Sequence, residues 1–394
     1  VAESKILNNA ARILQLVAAG TPADVALRDS LTQNRHVTAP LERRSISRAV
    51  FTYYRWRRWL KDSDSAQKQL AAALALQERF NQDNTSIKPE ALAARAVPDW
   101  LKAEVDNVPP AWLTQLQREP VLWIRTKEGL ESKVTADLKN CVPAELGAYR
   151  QPSTAYRYTG LTDLYRTSGF QAGEFEIQDL ASQLVGHAAN PQPGETWWDA
   201  CAGEGGKSMH LSDLMQNKGL LWVSDRSLRR LAKLKERAAR GKVFNFRAAP
   251  WEGGANLPTK TKFDGILLDA PCSGIGTWQR NPHARWTAQP TDVHELAAVQ
   301  LKLLNHVAGS LKPGGRLVYA VCTLSRAETT GVAEAFTESH PELEPTAVWT
   351  NPRDQKSEVS IGSLTSDLRP LSSVTLWPQD LNANGMFIAA WRRK

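Results

Sequence analysis

The chain of 394 residues reads as an α/β protein, with a mostly parallel, helix-flanked sheet over residues 171–394. An all-helical segment and a small α+β module precede it. Three observations carry this expectation. From Glu174 onward, short runs rich in β-branched, aliphatic and aromatic residues alternate with helix-length runs, the pattern of βαβ units. Before residue 60, apolar residues recur at three- and four-residue steps. Between these regions, a strand-like stretch at 121–125 stands among short helical pieces at 100–105, 112–118 and 130–138.

Taken in order, Leu7, Ile13, Leu14 and Val17 form one helical face up to the break Gly20-Thr21-Pro22, and a second helix begins near Ala23. Residues 41–60 place Arg44, Arg48, Arg55 and Arg58 on one side of a helix and Ile46, Val50 and Tyr53 on another. The polar, breaker-rich stretch 81–89 reads as a linker. The expected domains are therefore 1–88, 89–170 and 171–394. In the last, strands are expected at 196–200, 220–224, 243–247, 265–268 and 316–321, with helices at 228–240 and 292–311. A final strand at 386–391 follows Asn384-Gly385, and residues 351–375 read as a polar surface excursion.

Composition narrows the classes. Apolar residues make up 42% and charged residues 23%, which excludes wholesale disorder. Lys and Arg number 49 against 41 Asp and Glu, a net charge of +8, and residues 1–68 hold twelve of the cations against six acids. A polyanionic partner is the expectation. The four cysteines, Cys141, Cys201, Cys272 and Cys322, form no CxxC pair. That argues against a disulfide framework or a zinc cage and for a reducing, cytoplasmic compartment. No apolar run reaches the roughly 18 residues of a membrane span. Glu3, Lys5 and Arg12 sit inside an amphipathic pattern, unlike a signal peptide.

The chemistry is expected at strand ends. Trp197-Trp198-Asp199-Ala200 runs into Cys201, Ala202, Gly203, Glu204, Gly205, Gly206 and Lys207 and then a helix. A glycine-rich turn there lets backbone N–H groups approach a ligand, and Asp225, 22 residues after Gly203 and followed by Arg226, can accept from ribose hydroxyls. Turn and acid together suggest a nucleoside-containing cofactor. The run Leu267-Leu268-Asp269-Ala270-Pro271-Cys272 ends the fourth strand, and Tyr319-Ala320-Val321-Cys322-Thr323 ends the fifth, so two thiols face one cleft. Each signal has a plainer reading: a structural turn, a helix-capping Asp, cysteines serving as small buried hydrophobes.

These residues resemble a known family. DACAGEGGKS at 199–208, LLDAPCSGIGTWQRNPHARW at 267–286, YAVCTLSRAE at 319–328, FEIQDLASQLV at 175–185 and the closing GMFIAAWRRK look like the signature blocks of the Sun/Fmu RNA cytosine-C5 methyltransferases. PDWL at 98–101 and LWIRTK at 122–127 resemble that family's preceding RNA-binding segment, and the helices of residues 6–60 resemble a shortened NusB-like domain. The resemblance implies a Rossmann-like S-adenosylmethionine-dependent methyltransferase domain with an antiparallel last strand. It implies Cys322 as nucleophile toward cytosine C6, Cys272 as the group assisting C5 proton removal and product release, and Asp269 as a stabiliser of the base at N3 or its exocyclic amine. A C6 adduct makes chemical sense because it turns C5 into a nucleophilic enamine carbon.

The expected cofactor-binding set is Cys201, Ala202, Gly203, Glu204, Gly205, Gly206, Lys207, Asp225, Arg226 and Asp269. The expected RNA-binding set is Arg44, Arg48, Arg55, Arg58, Arg125 and Arg280, interleaved in the first region with Tyr53, Trp56 and Trp59. The partner is RNA, ribosomal first and transfer RNA second, with no metal and no membrane, acting as a monomer. Four departures from the family pattern stand out. Gly203-Glu204 replaces Ala-Pro, residues 247–251 lack an acid for the adenine amine, His283 replaces an Asp, and Asn384-Gly385-Met386 replaces Asp-Gly-Phe. The rival from another class is an RNA-binding or assembly factor with weakened catalysis. A DNA-type methyltransferase would use Cys272 as nucleophile, and the Cys322 block argues against it.

Overall fold

The computed structural model describes residues 2–33, 40–146, 154–349 and 371–394. The chain divides into two compact units, residues 1–120 with 277–290, and residues 121–276 with 291–394. This division differs from the expected boundaries at both ends of the middle segment. Its helices up to Gln115 belong with the first unit, and its strands, together with the helix Glu131–Leu138, with the second.

The first unit is helical: Ala2–Ala18, Ala23–Gln33, Pro40–Arg55 and Ala66–Gln82 surround a core of Ile13, Leu14, Leu27, Ile46, Val50 and Leu70. The expected linker at 81–89 contracts to a turn in which Asp83 accepts from the Thr85 backbone, before a helix starts at Pro89. Gln77 explains why the helices up to Gln115 join this unit. Its side chain is buried, donates to Gln117 O at 3.0 Å and accepts from Arg55 and Trp56. Residues 277–290 are held by Arg285, fully buried, whose guanidinium donates to the carbonyls of Ala96 and Leu116 at 2.9 and 3.0 Å.

The second unit contains two sheets. The smaller is antiparallel, in the order β2 (Cys141–Pro143), β3 (Ala155–Tyr158), β1 (Leu122–Thr126), β4 (Phe175–Ile177). Buried charge ties it to the larger sheet's helices. Arg125 donates to Gln178 and to Asp213 at 2.8 and 2.6 Å, and Glu176 accepts from Arg237 and Arg240.

The larger sheet comprises β5 (Thr196–Asp199), β6 (Leu220–Val223), β7 (Phe246–Ala248), β8 (Phe263–Asp269), β9 (Leu311–Val321), β10 (Leu343–Pro345), β11 (Ser373–Leu376) and β12 (Met386–Arg393). Their order is β10-β12-β9-β8-β5-β6-β7, with β11 also paired to β12. The pairs among β5 to β9 are parallel and β12 is antiparallel to β9. This is the Rossmann-like architecture expected. Alternate residues face opposite helical layers. Trp197, Leu267, Val318 and Ala320 pack with Leu184, Leu231 and Leu234, while Trp198, Ile266, Leu268 and Tyr319 pack with Leu304, Val307 and Phe336. β7 is displaced three residues from the expected start, and of the polar stretch 351–375 all but its end lies outside the described residues. Among those described, no helix is long and apolar enough to cross a membrane.

His187 and His210 meet edge-on between the helices Leu180–Ala189 and Gly206–Leu214, with ring centroids 4.9 Å apart. Burial and the nearby Arg125 push His187 down to about 4, and burial, Arg125 and His187 lower His210 further. His187 Nε2 and His210 Nδ1 have no hydrogen-bond partner. The unfolded chain takes up these protons near pH 6.5 and the folded one does not. Stability is therefore complete above about 6.5 and falls toward pH 4 by about 1.4 kcal/mol per pH unit for each histidine. Thermal midpoints should drop steeply between about pH 6.5 and 5, and His187→Gln should flatten that drop; an unchanged slope in the variant would contradict this account.

Candidate active site

The strand order reverses between β5 and β8, and the expected ligand-binding residues lie at the carboxyl ends of these strands and their neighbours. After β5 the chain turns through residues 200–205 into the helix Gly206–Leu214. Gly203 and Gly205 take φ of +55° and +86°, and a Cβ at Gly205 would lie 2.7 Å from Leu234, so the tight turn requires glycine. Asp225 fixes the turn from the end of β6, accepting from Gly203 N at 3.0 Å and from Ser227 N at 2.7 Å. Glu204 is exposed and lies 3.5 Å from Lys233, so its charge is directed to the helix Leu228–Arg240.

This turn fits a nucleoside cofactor. A Cβ at Gly203 would meet nothing within 4 Å, which leaves the backbone open to an incoming group, and Asp199 Oδ1 is buried without a partner. The other Asp199 oxygen accepts from Ser208 at 2.6 Å, and burial pushes this carboxyl up to about 7. After β7, Arg247 stacks over Trp222 at 5.2 Å, and residues 247–251 supply no acid. Asn384 N donates to Asp179, the residue capping the helix Leu180–Ala189, so the altered closing block still anchors β12.

The register of β8 with β9 places Asp269 beside Ala320. Both strands end there, and the cysteines that follow face each other with Sγ atoms 3.3 Å apart. Lys207 reaches Asp269 Oδ2 at 2.6 Å. Burial alone would lower the Lys207 ammonium, but Asp269 by charge and hydrogen bond, followed by Cys322, raises it above the usual lysine value. The two thiols are driven apart. The hydrogen bond from Cys272 lowers Cys322, outweighing burial and Asp269, and Lys207 acts in the same direction. Cys272 moves up through that same bond, burial, and the charges of Cys322 and Glu328. The opposite shifts favour Cys272 as the donor and Cys322 as the acceptor in this contact, with the Lys207 charge acting toward the thiolate form of Cys322. Cys201, by contrast, is a partly buried thiol raised by desolvation and three neighbouring acids, suited to packing.

The expected RNA-binding arginines scatter. Arg55 and Arg125 are each 2% exposed and bonded inside their units, so both leave that set. Arg48 pairs with Glu119 and Arg58 with Asp99, while Arg44 and Arg280 are exposed. Trp56 is a core residue and Tyr53 is half-buried under Arg57. Sequence reasoning passed over a denser cation run. Residues 226–242 hold eight Lys and Arg against Glu236 alone, a net of +7, with Arg229 and Lys235 exposed. It also missed Glu328, whose signal was the acid within the Cys322 block. Among the described residues, no group of three or more His, Cys, Asp or Glu side chains is arranged to hold a metal.

The family model described as 16S rRNA methyltransferase RsmB/F matches residues 187–392. A Bacillus subtilis (strain 168) protein named "Probable ribosomal RNA small subunit methyltransferase B" is 36% identical over 234 residues, covering 58% of this chain and 50% of that protein. Ribosomal RNA small subunit methyltransferase B of Yersinia pestis bv. Antiqua (strain Angola) is 31% identical over 263 residues, covering 64% and 60%. The chain thus spans about half the length of the first of these curated relatives. In fold it is similar to the crystallised protein PH0851, with a TM-score of 0.75 at 21% identity over 99% of this chain and 98% of that one. NSun6 from Pyrococcus horikoshii, crystallised with SFG, gives 0.59 at 21% identity over 72% and 93%.

The thiol pair makes a direct expectation. Replacing Cys272 by Ala removes the donor that contributes most to lowering Cys322, so Cys322 should alkylate more slowly near neutral pH, with its profile moved to higher pH. Peptide mass spectrometry after iodoacetamide treatment over a pH series reads it; an unshifted Cys322 profile would mean that the thiol contact has no electrostatic effect.

Proposed function

We propose, for a chain that belongs to the 16S rRNA methyltransferase RsmB/F family, that it methylates C5 of a cytosine in RNA through a covalent bond between Cys322 and C6 of the base. The observation that carries this reading is the facing of Cys272 and Cys322 at 3.3 Å, beside the Lys207–Asp269 pair. Small-subunit ribosomal RNA is the first substrate class, in keeping with the names of the relatives, and transfer RNA is the second.

S-adenosylmethionine, when bound, supplies an electrophilic methyl group. The residues that would hold it are the turn Cys201, Ala202, Gly203, Glu204, Gly205, Gly206 and Lys207, with Asp225, Arg226 and Asp269. The side chains divide the remaining work. Cys322 Sγ, as thiolate, forms a bond to C6, and the electron pair of the C5–C6 double bond moves into the ring toward N3, where Asp269 and Lys207 stabilise the base. With the cofactor bound, the enamine carbon C5 would be the nucleophile toward its methyl group, and the S–CH3 electron pair would stay on the donor's sulfur as a neutral thioether. Cys322 is now a neutral thioether, so its own hydrogen bond and charge no longer raise Cys272, and only burial and Glu328 still do. Cys272 can release its own proton to solvent and accept the one on C5. The C5–H electrons restore the double bond and expel Cys322 as a thiolate. The exchange resets both sulfurs.

The altered turn was the support for a factor with weakened catalysis. Glu204 pairs with Lys233 and Gly203 remains open, which weighs against that reading.

The two cysteines should differ in phenotype. Cys322→Ala should abolish methyl transfer and form no adduct. Cys272→Ala should stall after methylation and leave a denaturation-resistant protein–RNA band in the presence of S-adenosylmethionine, absent from the double variant. A stable band on Cys322→Ala would instead make Cys272 the nucleophile and overturn the assignment.

A further inference from the structure

Glu328 lies six residues after Cys322 and is fully buried. A buried carboxylate needs a strong reason to be there, because desolvating it costs several kcal/mol unless donors replace water. Here five donors converge on it. Oε1 accepts from Ser273 N at 2.8 Å and Gln300 Nε2 at 3.0 Å. Oε2 accepts from Thr323 Oγ1 at 3.0 Å, Ser325 Oγ at 2.8 Å and Ser273 Oγ. Ser273 directly follows Cys272, and Thr323 directly follows Cys322. One carboxylate therefore holds the residues adjoining both sulfurs, from loops 50 residues apart in sequence. Gln300 closes the frame by donating to Pro271 O at 2.8 Å, on the other side of Cys272.

We propose that Glu328 is a positioning residue for the reaction, its buried carboxylate clamping the Cys272 loop to the Cys322 loop so that the sulfurs face each other and remain chemically distinct. The inference rests on the reading given under Proposed function for its reaction, but its geometry does not depend on that reading. The clamp also sorts the charges. Cys272 faces Cys322, Glu328 and Tyr319, and the Glu328 charge disfavours a thiolate there. Cys322 faces Cys272, Asp269 and Lys207, and the ammonium favours a thiolate there. Two like residues at like strand ends thereby acquire unlike roles.

The test is the near-isosteric Glu328→Gln, made in the full chain. It removes the charge and turns an acceptor toward donors, while the hydroxyls of Ser273, Thr323 and Ser325 can rotate to meet an amide. In free enzyme the ratio of Cys272 to Cys322 labelling by iodoacetamide near pH 7 should rise about ten-fold, with the Cys272 profile moving about one unit down in pH. In turnover, kcat should fall at least ten-fold with S-adenosylmethionine affinity unchanged, and Glu328→Asp, which keeps the charge, should restore the labelling ratio toward that of the parent. A parent-like ratio and pH profile in a folded Glu328→Gln would overturn the proposal, even if kcat fell. Should Glu328→Gln not fold, Ser273→Ala removes one strut of the clamp, and the same labelling ratio decides. Labelling needs no RNA, so parent enzyme that labels as expected but methylates no RNA would sink the proposed reaction and leave the clamp standing.

Discussion

The parallel pairing of β8 with β9 is the constraint on which the site depends. Their ladder puts Asp269 beside Ala320, and the chain reaches Cys272 three residues beyond one and Cys322 two residues beyond the other. A slip of one residue in either strand would reverse every side chain of that strand between the two helical layers. The alternation of Leu267, Val318 and Ala320 on one face with Leu268, Tyr319 and Val321 on the other makes such a slip costly. Burial of apolar side chains far from any ligand thus fixes the separation of two sulfurs. Gly276 seals the end of this pairing. Its N–H donates to Cys322 O at 3.1 Å, and a Cβ there would come within 2.3 Å of the Gly385 carbonyl.

On this frame, charge is allocated sparingly. Asp269 and Glu328 act on the thiols, Asp199 acts on Lys207, and Lys207 is bonded to Asp269. Each acid has a different answer to desolvation: Asp269 takes the ammonium, Glu328 takes five neutral donors, and Asp199 takes Ser208 and is raised toward neutrality. The lysine is therefore committed to Asp269, from where its charge acts on Cys322. This asymmetry separates the thiols as effectively as their different loops do.

Much of this was legible in the sequence, for a physical reason. Strands buried on both faces need continuous apolar runs, so β5, β6, β8, β9 and the antiparallel β12 announced themselves, and the functional residues sit just past the ends of β5, β6, β8 and β9. The short edge strand β7 carries little burial and was placed three residues early. Residues 277–290 were unreadable as part of the helical unit, because what binds them there is Arg285 donating to the carbonyls of Ala96 and Leu116, contacts almost two hundred residues apart in the chain. The thiol pair could be read from two cysteines ending adjacent strands. The clamp could not, since a Glu at a helix-proximal position after a strand carries no mark of burial until its donors are placed.

The arginines show most clearly where such reading stops. A guanidinium offers five donors in a plane, which suits it equally to two phosphate oxygens or to several backbone carbonyls that would otherwise be buried unpaired. Sequence distinguishes neither use. Arg55, Arg125 and Arg285 serve the interior, and each is 2% exposed or less. The helix Leu228–Arg240 has the opposite disposition: Leu231, Leu234 and Ala238 face the core, while Arg229, Lys233 and Lys235 stay exposed. Counting cations by segment favoured the first 68 residues. The fold consumes cations in both places, Arg55 inside the first unit and Arg237 and Arg240 on Glu176, and leaves Arg229 and Lys235 exposed on the same unit as both thiols.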